Sequence, residues 1–280
     1  MILALKLVLV PALVASVSLA ARRWGPRVAG LLTALPLVTG PALLFFALEQ
    51  GAAFAAEAAR GALVALVAVA AAGLAYAWAA RRAPWWGSVI AAWASFTALT
   101  VALRPVRLGP VAALAAAWAS FALVPRLLPA AAGRAATPPP WAWDLPLRML
   151  SAMALILTVT GLARRIGPEW SGAFTPFPVA LTVLLAFTHA REGAGTAIRF
   201  YRGFLTGMWS FAAFCFVAAV SMVPLGRWPG LLLACAVVLP VQGAVLWWSG
   251  RARPAGAALG RETVSARGRP PAPGPPPARE

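Results

Sequence analysis

Residues 21–36 read ARRWGPRVAGLLTALP, and residues 163–178 read ARRIGPEWSGAFTPFP. The stretches lie 142 positions apart and align without a gap. Arg22 and Arg23 fall on Arg164 and Arg165, Gly25 and Pro26 on Gly167 and Pro168, Gly30 on Gly172, Thr33 on Thr175, and Pro36 on Pro178. The register holds further along, with Gly51 on Gly193, Arg60 and Gly61 on Arg202 and Gly203, and Trp86 on Trp228. From Ala21 to Gly61, 15 of 41 positions are identical, and ten of those are Arg, Gly, Pro or Thr, which an Ala-rich background does not supply. The chain therefore reads as an internal duplication.

Composition says where such a duplication lives. Of 280 residues, 61% are hydrophobic and 11% charged, with a mean hydropathy of +0.81, against about 25% charged residues in a soluble domain. A bilayer core needs about 20 apolar residues per helix, and that ruler yields nine expected spans. They run over Ile2 to Ala20, Val28 to Leu48, Gly61 to Ala80, Trp86 to Leu103, Leu108 to Leu123, Leu145 to Ala163, Ala173 to Ala190, Phe204 to Val223 and Leu231 to Trp248. The fold class expected is all-α, a polytopic helical membrane protein. Residues 1–104 and 145–249 form two four-helix repeats, and 105–144 a linker helix with a Pro-rich loop. Residues 250–280, rich in Arg, Pro and Gly, form a solvated tail.

The first span resembles a secretory signal peptide, with Lys6 and an apolar run ahead of Ser18-Leu19-Ala20. Its repeat counterpart lies mid-chain, where Arg148 replaces Lys6, so the span is expected to be kept as a helix. The fifth span stands alone between the repeats, so five crossings separate the first helix from the sixth. The halves should then enter the membrane from opposite sides as inverted repeats. Of the 24 basic residues, 17 fall on the face of the even-numbered span entrances and the tail, and 7 on the other. The positive-inside rule makes the first face cytoplasmic and leaves the amino terminus outside. The expected location is a bacterial inner membrane. The formal charge of +17 is read as topological, with no nucleic acid partner, and the tail arginines are placed to meet anionic lipid.

Chemistry-bearing residues are few. Cys215 and Cys235 lie in apolar runs without metal or redox spacing. One His, two Tyr and seven carboxylates offer no hydrolytic pair, metal set or cofactor motif, so no enzyme is expected. The strongest pointers are Pro36, Gly40 and Pro41 in the second span and Pro176 and Pro178 in the seventh. Proline frees a backbone carbonyl inside a span, and interrupted helices at equivalent places in inverted halves point to a transporter's substrate site. Thr33, Pro36, Gly40, Thr175 and Pro178 are the substrate-site candidates; helix kinking for packing alone explains the same prolines, with Thr33 and Thr175 capping the freed carbonyls.

Glu57 with Arg60, and Arg199 with Arg202, sit three apart at the entrances of the third and eighth spans. Together with His189 and Glu192 they are candidate gate or vestibule charges, snorkelling to water being the alternative. A Glu57–Arg199 pair is ruled out by inversion, which puts the two at opposite faces. Gly203 and Gly207, and Gly61 with Ala65, are small-residue steps suited to close helix approach. Tryptophans at span ends, including Trp85, Trp86, Trp141 and Trp143, read as interface anchors.

Thr175-Pro176-Phe177-Pro178, His189, Glu192-Gly193, Arg202 and Met208-Trp209-Ser210 resemble the core of the small GlpM/YdgC-like bacterial inner-membrane proteins. Gly30-Leu31-Leu32, Pro36, Glu49 and Gly51 are similar to the same core. The resemblance implies two four-helix units fused through an extra helix. It implies no settled activity beyond a loose association with envelope polysaccharide production. The first half lacks the His and the Met-Trp-Ser run, so those residues cannot act symmetrically. Two readings stand at this point: a secondary transporter or channel for a small solute or ion, and a non-transporting scaffold or accessory protein of an envelope pathway.

Overall fold

Each stretch between glycine and proline punctuation is apolar around its whole circumference, which suits a helix surrounded by other helices or lipid. The structure, a computed structural model, describes residues 2–106, 108–131, 142–166 and 179–251. These form ten helices: α1 Ile2–Trp24, α2 Pro26–Thr33, α3 Thr39–Glu49, α4 Ala52–Ala79, α5 Trp85–Leu103, α6 Pro110–Leu127, α7 Asp144–Ile166, α8 Val179–Glu192, α9 Ala194–Ser221 and α10 Arg227–Arg251. Among the described residues six of them, α1, α4, α5, α6, α9 and α10, are long and apolar enough to cross a membrane. By helix length and hydropathy the chain is a multi-pass helical membrane protein. Two compact units divide at Gly243, and the described part of the second is the end of α10, with Trp247 and Trp248 exposed.

Helix boundaries recur at a constant offset. α7 starts and ends 142 residues after α1, α9 does the same after α4, and α10 starts 142 residues after α5. α4 and α9 both open after a glycine with positive φ, Gly51 at 92° and Gly193 at 86°, a conformation that side chains with a Cβ resist.

The interruption expected at the prolines of the second span is present: α2 ends at Thr33 and α3 begins at Thr39. Between them the ladder tightens, Leu35 N–H donating to Leu32 O and Leu37 N–H to Leu35 O, before Gly40 N–H returns to Pro36 O. Pro41 lies in the first turn of α3, where its missing N–H costs no helical bond. The fifth span is α6, which runs through Pro125 to Leu127 instead of stopping there, and Asp144, expected in the linker, is the first residue of α7. Of the seventh span only Val179 onward is described.

Contacts between side chains and distant carbonyls fix helix directions. Arg60, near the start of α4, donates to Leu108 O at 2.7 Å just before α6, and Trp78, near the end of α4, donates to Leu127 O at 3.0 Å. α4 and α6 are therefore parallel. Trp118 within α6 donates to Trp209 O, and Arg202 near the start of α9 donates to Leu128 O and Pro129 O beyond the end of α6. α6 and α9 are therefore antiparallel, and so are α4 and α9. Arg22 at the end of α1 meets Asp144 at the start of α7, so α1 and α7 also oppose each other.

The tightest seam joins α2 to α9. A Cβ on Gly30 would lie 1.9 Å from Phe200 O, one on Gly203 1.9 Å from Arg27 O, and one on Gly207 2.7 Å from Leu31 O. The small-residue step at Gly203 and Gly207 thus does what its spacing suggests, bringing two backbones into contact. Gly61, its counterpart in α4, has nothing within 4 Å among the described residues. Elsewhere Tyr201 reaches from α9 to donate to Ala70 O at 2.8 Å, its ring lying where a side chain on Gly73 would stand. Ser210 on α9 donates to Gln242 on α10 at 2.8 Å. Gly203→Ala should cost about 1–3 kcal/mol by overpacking, whereas Gly61→Ala should be neutral or stabilising by up to about 1 kcal/mol; denaturant titration in detergent micelles distinguishes the two.

Candidate functional site

The break between α2 and α3 is where a substrate site was expected. Thr33 is buried, with its hydroxyl donating to Ala29 O at 2.8 Å, one turn back rather than to a carbonyl freed by Pro36. Pro36 is half-buried. Gly40 is buried, and a Cβ there would touch the Phe214 ring at 3.8 Å. Thr175 and Pro178, the equivalent candidates, lie outside the described residues. A narrow cleft of about 20 Å³, lined by apolar side chains including Trp93, Phe96 and Leu181, lies between α4, α5 and α8. It has room for about one water molecule.

The charged candidates separate into anchors and a cluster. Glu57 and Arg60 form an ion pair on the first turns of α4, and the same guanidinium holds Leu108 O. Arg202, 142 positions further on, holds Leu128 O and Pro129 O at 3.4 and 3.2 Å. These two arginines thus grip the two ends of α6. Arg199 donates to the Thr196 hydroxyl at 2.8 Å, and that hydroxyl donates to Glu192 O. Glu57 and Arg199 stand at opposite ends of the antiparallel pair α4 and α9. His189 is half-buried, with Nδ1 at 3.2 Å from the Tyr76 hydroxyl and the two rings edge to face. That hydroxyl donates to Leu185 O at 3.1 Å, so it can accept a hydrogen bond from an Nδ1–H of His189.

A second charged group was not anticipated. Asp144, the only aspartate in the chain, has a side chain 6% exposed. Its Oδ2 accepts from Arg22 Nη2 at 2.9 Å and from Arg148 Nε at 3.2 Å, and its Oδ1 lies 3.6 Å from Arg191 Nε. The last distance is that of an ion pair without a hydrogen bond, and among the described residues Oδ1 accepts none. The four residues come from three helix ends. Asp144 opens α7, where the helix dipole favours a carboxylate; Arg148 is one turn on, on the same face; Arg22 and Arg191 close α1 and α8, where cations are favoured. Arg148 is 6% exposed and lies over the Phe187 ring at 5.2 Å, which supplies a further weak cation contact. Glu192, half-buried, is electrostatically coupled to Arg148, Arg191 and Arg199, which joins the Thr196 group to the cluster.

Sequence reasoning named Arg191's neighbours, His189 and Glu192, and missed the centre. Asp144 was assigned to the linker, and Arg148 was noticed only as the match of Lys6. The available signal was the Asp144 to Arg148 spacing of four, a helical ion pair placed at the start of an apolar run. Comparison with protein-family models, with characterised proteins and with solved structures finds no match to this chain.

A buried carboxylate facing guanidiniums is costly to strand. Asp144→Asn should destabilise the fold by about 3–5 kcal/mol, and adding Arg148→Gln to that variant should recover part of the loss, because the second change removes an uncompensated cation. Unfolding of the two variants in micelles measures both effects; independent, additive losses would show that the pair is not coupled.

Proposed function

We propose that the chain is a nine-crossing protein of the bacterial cytoplasmic membrane, built of two inverted repeats around α6, that moves a small solute or ion. The observation carrying this reading is the pair of equivalent arginines. Arg60 and Arg202 anchor opposite ends of one helix about 27 Å long, which equivalent residues do when the halves are turned over relative to each other. The opposed directions of α1 with α7 and of α4 with α9 support the same reading. In it, α2 and α3 make one broken crossing, and α8 with the residues before it makes the seventh. Inverted halves with a broken helix are the usual frame of alternating access. Buried charges in such a frame mark pathways more often than packing, so the functional centre moves from the break to the Asp144 cluster. Basic residues at the Asp144 face, among them Arg22, Arg23, Arg81, Arg82 and Arg126, favour that face as cytoplasmic.

One observation favours the scaffold reading: the backbone-to-backbone seam of α2 on α9 leaves Gly30, Gly203 and Gly207 no room for solvent beside the break. A non-transporting accessory protein of an envelope pathway, in keeping with the resemblance to GlpM/YdgC-like proteins, would need only such a seam.

Topology is tested by single cysteines in a background with Cys215→Ala and Cys235→Ala. A membrane-impermeant thiol reagent on intact cells should label Val106→Cys and Leu225→Cys and spare Ala83→Cys and Ala130→Cys. Equal labelling of Ala83→Cys and Leu225→Cys, which are 142 positions apart, would sink the inverted arrangement, whereas labelling of the opposite pair would reverse only the orientation. Transport is tested by a solute-uptake screen in proteoliposomes with Pro36→Ala beside the native chain. Uptake slowed by that change supports the transporter; a full screen without uptake leaves the scaffold.

A further inference from the structure

The Asp144 cluster carries more positive charge than its own carboxylates cancel. Three guanidiniums from three helices meet one carboxylate, and Glu192 with Arg199 adds one charge of each sign. Among these described residues the group therefore counts two more guanidiniums than carboxylates, around side chains only 6% exposed. In a low-dielectric surrounding such an excess is stabilised by another anion. Guanidinium forks select planar or tetrahedral oxyanions, which they bind through paired hydrogen bonds.

The exposures describe a way in. From Arg148 at 6% they rise to Arg191 at 22% and Arg22 at 49%, so the cluster is sealed at depth and open beside Arg22. The weakest internal contact also lies toward the open side. Arg191 stands 3.6 Å from Asp144, beyond hydrogen-bond length. Exposed Trp24 and Trp143 flank the cluster in sequence and suit the headgroup zone of a bilayer, where soluble phosphate and lipid phosphate are both within reach.

We propose that Arg22, Arg148 and Arg191 form the cationic wall of a binding site for a phosphate-type oxyanion, with Asp144 orienting the guanidiniums. The proposal takes the transport reading one step further by naming a solute class, but binding is measurable without transport. The full chain is placed in phosphatidylcholine nanodiscs and its thermal unfolding is followed during titration with inorganic phosphate, with chloride at matched ionic strength as control. Phosphate should raise Tm by about 5 °C or more at concentrations well above Kd, the rise growing with the logarithm of its concentration. Arg82→Gln, an exposed arginine at the same face, should keep the rise. Arg191→Gln should abolish it, and Arg191→Lys, which keeps the charge and loses the fork, should weaken phosphate binding at least about tenfold.

A parallel set of discs containing phosphatidylglycerol separates the two sources of phosphate. If the anionic lipid gives an Arg191-dependent rise and inorganic phosphate then adds nothing, the headgroup is the ligand; if phosphate still adds its increment, the ligand is the soluble ion. No rise with either, or a rise that both Arg191 variants retain, overturns the site. An Arg191-dependent rise without phosphate uptake in proteoliposomes keeps the site and removes the transporter. Uptake of a solute that Arg191→Gln leaves untouched does the reverse.

Discussion

Helix α6 is held at both ends by arginines 142 positions apart in the chain, and the directions of its neighbours follow from that grip. Carbonyls at and beyond a helix terminus lack partners within the helix. In a membrane they cannot be left unpaired. Arg202 supplies donors to Leu128 O and Pro129 O at the end of α6, where a cation also complements the helix dipole, and Arg60 supplies one to Leu108 O before its start. With α6 fixed in this way, α4 must run beside it in parallel and α9 against it. The neighbouring positions differ freely, Glu57 in one half and Arg199 in the other, because only the anchor has the same task at both ends.

What was legible in the sequence followed from rules that act locally. Helix limits at the 142-residue offset were readable because Gly51 and Gly193 break the chain in the same way, and apolar runs of span length declare themselves. The small-residue step in α9 was readable as close packing, although nothing local said that its partner would be α2. The extent of the break between Thr33 and Thr39 was not readable, since Pro36 disrupts a helix whereas Pro41, in a first turn, begins one. Asp144 was missed for a different reason. Its meaning depends on Arg22, 122 residues away, and on Arg191, and convergence of three helix ends is a tertiary fact that no window of sequence contains.

α2 is fused to α9 by contacts between backbones, while α3, on the far side of the break, packs on α4. The non-helical residues 34–38 therefore join a helix seated on α9 to a helix seated on α4. A Cβ on Gly40 would meet the Phe214 ring at an ordinary van der Waals distance, whereas one on Gly30 would overlap Phe200 O, so the α3 side of the break tolerates a side chain that the α2 side does not. Pro36 lies within the non-helical segment and Pro41 in the first turn of α3, so one proline interrupts the helix and the other is compatible with its restart.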